Sequence, residues 1–109
     1  MDLNPRESNL EGYLRKNAEK QGWDVIKCGT DGWPDDIVLA TEGVQGWIEL
    51  KRFGEEPTPR QLLRLEELQS RGFLAIWADR KLRVDWFLVR LRERVDEARE
   101  GKAFWRASL

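Results

Sequence analysis

The stretch GWPDDIVLATEGVQGWIELKR, residues 32–52, sets the architecture expected of this chain. DIVLA (36–40) is a compact apolar strand, TEGVQG (41–46) a hairpin turn, and GWIELKR (46–52) a second, alternating strand. Side chains alternate across a strand, so Trp47, Glu49 and Lys51 share one face while Ile48, Leu50 and Arg52 share the other. Glu49 and Lys51 then stand about 6–7 Å apart along the strand. Asp35, after Pro34 at the mouth of the neighbouring strand, is expected to converge on the same point. Ile37, Val38, Ile48 and Leu50 make both strands buried, so charged groups at their ends need a reason.

On the N-terminal side, Asn4, Pro5 and Glu7 have the order of a cap, a first helical position and a capping-box partner. Leu10, Leu14 and Ala18 form one apolar stripe, which predicts a helix over 5–21 that stops at Gly22. WDVIKC (23–28) is a short strand and GTDGWP (29–34) a loop. On the C-terminal side, Thr58, Pro59 and Gln61 open a second helix that ends at Gly72. FLAIWA (73–78) suits a buried central strand. DRKLR (79–83) is expected as a charged connector, residues 85–100 as a third helix, and GKAFWRASL as a tail carrying two aromatics. A strand reading of WFLV (86–89) stays open. The order α-β-β-β-α-β-α, with one strand–helix–strand crossover, predicts a single α/β domain over 1–109 with a mixed sheet.

Composition narrows the chemistry. With no histidine and one cysteine, Cys28, the chain has no Ser-His-Asp or Cys-His site, no structural zinc site and no internal disulfide. A net charge of -1 argues against coating nucleic acid by bulk electrostatics. No signal peptide or membrane-spanning run is read, and a lone free thiol fits a reducing cytoplasm. Catalysis then rests on carboxylates, Lys, Arg, Tyr, Ser or Thr. Asp35, Glu49 and the backbone carbonyl of Leu50 form a hard oxygen set suited to Mg²⁺, with Lys51 beside it to hold a water or neutralise a phosphate. Separately, E-x-K on a strand and Pro-Asp in a turn are commonplace; their order and the hairpin that joins them make the pattern informative.

GWPDDIVLA, then GWIELKR, then a helix opening TPRQ, preceded by LEGYLRKNAEKQGW, resembles the VRR-NUC branch of the PD-(D/E)xK nucleases over roughly residues 8–80. The resemblance implies a restriction-endonuclease-like core: a mixed central sheet flanked by helices. It implies Asp35 and Glu49 as ligands of Mg²⁺, for which Mn²⁺ substitutes, and Lys51 as the catalytic lysine. It places Gln61 in support of the site, and Glu11 as an acidic residue acting on the ion through a water. Glu7 is the rival for that last role. It also implies a homodimer cleaving branched DNA, Holliday junctions or flaps, in a bacterial or phage-infected cell, with no membrane and no small-molecule cofactor. Two rival readings stay open: a non-catalytic DNA- or protein-binding module on the same fold, and a nuclease subunit that needs a helicase or specificity partner.

The family usually carries Arg after Pro-Asp, where this chain has Asp36; an extra acidic neighbour of the metal is one reading, and plain surface filler at the strand start is the simpler one. Lys27, Thr30, Arg60 and Arg64 are candidates for touching DNA phosphate, with Arg71 continuing a helical stripe. Ordinary solvation and i, i+3 pairing with Glu66 and Glu67 are the alternatives. Trp33 could stack on a displaced base or fold over the core edge. Trp23, Trp47 and Trp77 are expected in the core or against a subunit, and Cys28 as a small buried apolar residue.

Overall fold

The structure, a computed structural model, describes residues 7–107. It runs α1 (Glu7–Lys20), β1 (Asp24–Lys27), β2 (Asp36–Leu39), β3 (Gln45–Leu50), α2 (Pro59–Ser70), β4 (Leu74–Ala78) and α3 (Lys81–Ala107). The four strands form one sheet in the order β1-β2-β3-β4, antiparallel through β1, β2 and β3 and parallel between β3 and β4. The α/β class and the restriction-endonuclease-like arrangement of a mixed sheet between helices are those the motifs imply. The helix cap expected at Asn4 and Pro5 lies outside the described residues. Among the described residues no helix is long and apolar enough to cross a membrane.

The alternation along β3 divides the core in two. Ile48 and Leu50 pack with Leu10 and Leu14 of α1 and with Val84, Phe87 and Leu91 of α3. On the opposite face Trp47 joins Leu65 and Leu68 of α2, with Trp33, Phe73 and Trp77 around them. One face of the sheet is therefore covered by α1 and α3 and the other by α2. Trp23 lies fully in the first cluster, while Trp47 and Trp77 are half-buried in the second. Packing α3 this tightly requires a glycine at 46: a Cβ there would sit 2.5 Å from Phe87 Cζ and 2.8 Å from Phe87 Cε2.

In the C-terminal third two expectations are corrected, and the alternative left open beside the third helix is closed. DRKLR is not a connector, because α3 begins at Lys81, with Arg80 O accepting from the backbone of Arg83 and Val84. WFLV is helical, since Val84, Phe87, Leu88, Leu91 and Val95 fall at helical spacing and are all buried. GKAFWRA continues the same helix rather than forming a separate tail. Burial outweighs the local charge here: the buried apolar stripe starts at Val84, so the charged residues before it are drawn into the first turn.

Candidate active site

The site is built where β2 begins and β3 ends. The β2–β3 register pairs Asp36 with Ile48, so one residue further it sets Asp35 opposite Glu49. Opposed residues on antiparallel strands hold their Cβ atoms about 4.5–5.5 Å apart and point to the same face. Continuing the β1–β2 register sets Cys28 opposite Asp35, and Cys28 N–H donates to Asp35 O at 2.7 Å. Cys28, Asp35 and Glu49 thus form a row on the α2 face. All three line one open depression with Thr30, Arg60 and Gln61. Cys28 is half-buried there rather than a core residue.

Each acidic group is held differently. Asp35 Oδ2 accepts from the backbone N–H of Leu50 at 2.8 Å. Among the described residues Asp35 Oδ1 makes no hydrogen bond, which leaves one carboxylate oxygen at the site for a ligand. Glu49 is buried, and its Oε1 accepts from Gln61 Nε2 at 3.0 Å and lies 3.9 Å from Lys51 Nζ. Lys51 is itself largely enclosed, with its backbone N–H donating to Ala78 O at 2.8 Å. Gln61 has two duties. Its Oε1 accepts from Thr58 N–H at 2.9 Å, completing the capping box at the start of α2, while its Nε2 holds Glu49. The cap read from TPRQ is therefore also what aims α2 at the acidic pair. Two opposed carboxylates, with Asp35 Oδ1 uncommitted among the described residues and no imidazole in the chain, form a hard oxygen donor set of the kind that fits Mg²⁺.

On the other face of the same sheet end lies a second group of charges. Glu11 accepts from Arg15 Nε and Nη2, each at 3.3 Å, and from Lys27 Nζ at 3.4 Å. Asp36 is opposite Ile48 and so points to this face, where it is completely buried. The reading of Asp36 as surface filler is corrected. A carboxylate at this register position has no route to solvent under α1. Among the described residues neither of its oxygens has a hydrogen-bond partner, and its nearest counter-ion is Arg15 Nη2 at 3.8 Å. Burial first, and then the charge of Glu11, push its pKa up to about 7, against the opposing pull of Arg15. Among its described contacts Glu11 binds basic side chains on this face and makes none with Asp35 or Glu49. Of Glu7, the rival for its role, the side chain lies outside the described residues.

The basic and aromatic candidates divide. Arg60 lines the depression, its guanidinium stacked over Gly32, where a Cβ would come within 3.1 Å of Nη2. Gly32 has φ +80°, so a side chain there is strained twice over. Thr30 is exposed on the same rim, and Lys27 is exposed but paired with Glu11. Arg64 is committed to the protein. It donates to Gly32 O at 3.2 Å, pairs with Glu67 at 3.0 Å and stacks 4.3 Å from the Trp33 ring. Trp33 in turn leans on Trp47, with ring centroids 5.4 Å apart, and so folds over the core edge.

Two residues go unnoticed in the sequence reading. Arg15 bridges Glu11 and Asp36, and its spacing of four from Glu11 on one helix was the available signal. Asp79, fully buried at the end of β4, accepts from Arg80 Nε at 2.8 Å, Arg80 Nη2 at 2.9 Å and Gly54 N–H at 3.0 Å. It thereby ties down the connector that follows Lys51. The Arg80 guanidinium first, and then the Gly54 N–H, pull its pKa down to about 2.

No family model matches the chain, and no curated protein does. A solved structure described as "VRR_NUC domain" superposes with a TM-score of 0.69 at 28% identity, over 75% of this chain and 92% of that one. With the Pro-Asp and E-x-K residues in register on adjoining strands, the chain is similar to a VRR-NUC domain in fold and in sequence, a likeness to a nuclease-type domain.

Proposed function

We propose that the chain is a Mg²⁺-dependent, structure-specific DNA endonuclease that hydrolyses phosphodiester bonds in branched DNA, Holliday junctions or flaps, as a homodimer. One observation carries this reading: Asp35 and Glu49 oppose each other at the end of a strand pair, with one Asp35 oxygen uncommitted and Lys51 on the same face. Asp35, Glu49 and the Leu50 carbonyl would hold Mg²⁺, and Mn²⁺ would substitute. Bound there, the ion would supply charge to a phosphate oxygen and acidify a water.

The chain's own groups do the rest. Lys51 places an ammonium beside the carboxylates, where it neutralises charge building on the scissile phosphate as water attacks phosphorus in line with the leaving oxygen and the P–O bond opens. Gln61 fixes the rotamer of Glu49, and Glu11 acts through a water from the opposite face. Arg60 and Thr30, on the rim of the depression, take the flanking phosphates; Lys27 adds charge at the same sheet end from the opposite face, beside Glu11. So small a chain has little surface for reading bases, so recognition of DNA shape is the natural mode.

The test is cleavage of labelled linear duplex, flap, splayed-arm and four-way DNA by the purified chain alone, with Mg²⁺ or EDTA. The expected result is cutting of branched substrates that stops in EDTA and falls by about 10²–10³ in Lys51→Ala. Undiminished cutting by Lys51→Ala overturns the assignment. Activity only after adding a helicase or specificity partner selects the subunit reading, and Mn²⁺ uptake that ignores Asp35→Asn selects the non-catalytic one.

A further inference from the structure

The row of side chains that carries the acidic pair does not end at Glu49. The β3–β4 register pairs Glu49 with Trp77, and continued past Leu50 and Ala78 it sets Lys51 beside Asp79. Lys51 N–H donates to Ala78 O at 2.8 Å, which keeps the two strands together at that point. Neighbouring strands lie about 4.8 Å apart, so Trp77 and Asp79 are the next residues across the sheet from Glu49 and Lys51. Each of the two holds a guanidinium. Arg83 stacks 4.0 Å from the Trp77 ring, and its Nε lies 3.4 Å from Asp79 Oδ1. Arg80 donates from Nε and Nη2 to the two oxygens of Asp79 and stacks 4.7 Å from the Phe53 ring.

One buried carboxylate and two rings thus fix two guanidiniums, and the carboxylate offsets the charge of only one. Among the described residues Arg80 Nη1 and both Nη groups of Arg83 have no partner. The two side chains are 45% and 43% exposed, so these donors are open to solvent. Anchoring the connector after Lys51 takes Asp79 and the Gly54 N–H; it does not call for a second arginine with its outer nitrogens left over. A guanidinium already held against a ring loses little freedom on meeting an anion, and its paired N–H groups match phosphate oxygens. Glu55 and Glu56 are exposed in the same connector, so the placement of N–H groups rather than net charge makes the site. We infer that Arg80 and Arg83 form a phosphate-binding subsite for the DNA backbone on the β4 side of the scissile phosphate, aimed by Asp79 and Trp77. This rests on the nuclease reading above and completes it. Thr30 and Arg60 stand on the β2 side of the acidic pair, so the backbone is gripped on both sides of the point of cleavage.

Fluorescence anisotropy of labelled linear and four-way DNA tests this, in EDTA so that nothing is cut and over salt from about 50 to 200 mM. The double variant Arg80→Gln/Arg83→Gln should lower the slope of log affinity against log salt by about 1.4–1.8, because each lost phosphate contact removes roughly 0.7–0.9. Its affinity at about 0.1 M salt should fall by roughly 25–60-fold. Arg92→Gln removes the same charge from an exposed pair with Asp96 on α3 and should leave both readouts unchanged. An unchanged slope in the double variant, or an equal fall in Arg92→Gln, overturns the inference. If circular dichroism shows the double variant unfolded, Arg83→Gln decides alone, since it leaves Asp79 its bonds from Arg80 and Gly54. That single change should lower the slope by about 0.7–0.9. Wild-type cleavage in Mg²⁺ keeps the two readings apart. Cutting by a wild type whose DNA affinity ignores both arginines removes the subsite alone, whereas a wild type that neither binds in EDTA nor cuts in Mg²⁺ removes both.

Discussion

Replacing Gln61 by Met removes both of its hydrogen bonds at nearly constant volume, and the structure says how the loss divides. The bond from Thr58 N–H is exposed and belongs to the helix cap, a loss of about 1 kcal/mol. The bond from Nε2 to Glu49 Oε1 has a buried acceptor, and leaving that acceptor unsatisfied costs roughly 1–3 kcal/mol. Together these lower stability by about 3 kcal/mol, and for a domain of this size a loss of 1 kcal/mol moves the melting temperature by roughly 4–8 °C. The same change removes one of the bonds that orient Glu49, so Mn²⁺ affinity should fall by about 10–100-fold, as when a residue orienting a metal ligand is removed. Thr58→Ala is the control. It should reproduce the cap loss of about 1 kcal/mol and leave Mn²⁺ affinity within roughly threefold of the wild type. Calorimetric unfolding and Mn²⁺ titration of the three proteins make the measurement. If Gln61→Met and Thr58→Ala match in both readouts, Gln61 is a cap residue only and the positioning argument is wrong.

Gly46→Ala, whose Cβ would press on the Phe87 ring, should cost about 1–3 kcal/mol in denaturant unfolding while the acidic pair still binds Mn²⁺. Asp79→Asn carries a pH signature. The folded pKa near 2 lies below the ordinary carboxylate value of 3.8, so the stabilisation is complete above about pH 4 and is lost as pH falls toward 2. The variant should therefore trail the wild type by on the order of 2 kcal/mol at pH 7 and draw level with it near pH 2, as read by chemical unfolding at the two pH values. Saturating Mn²⁺ should raise the wild-type melting point, by the equivalent of about 2.7 kcal/mol at a hundred times its dissociation constant, and EDTA should reverse the shift. Asp35→Asn should abolish that response, and a thermal shift that persists in it would move the ion elsewhere.

The hairpin of β2 and β3 was legible because its signals are local. Alternation along GWIELKR places Glu49 and Lys51 on one face whatever surrounds them, and the TPRQ cap announces α2 within four residues. The two-faced core follows from the same period-two pattern. The start of α3 was hidden because DRKLR carries charges typical of a loop, while the burial of Val84 and Phe87 that draws it into a helix depends on the sheet beneath. Asp79 could not be singled out for a similar reason, since its partner Gly54 arrives from a connector 25 residues earlier.

Asp35 and Asp36 mark the boundary. Adjacent residues in a strand must point to opposite faces, so the sequence by itself determined that one of them joins Glu49 and the other does not. Which chemical environment each face offers was left to tertiary structure. The α2 side stays open and lets Asp35 keep an oxygen uncommitted, whereas α1 closes over Asp36 and leaves it buried beside Glu11 and Arg15. Backbone periodicity is a property of the chain's own bonds, and dielectric and counter-charge are properties of what folds on top of it.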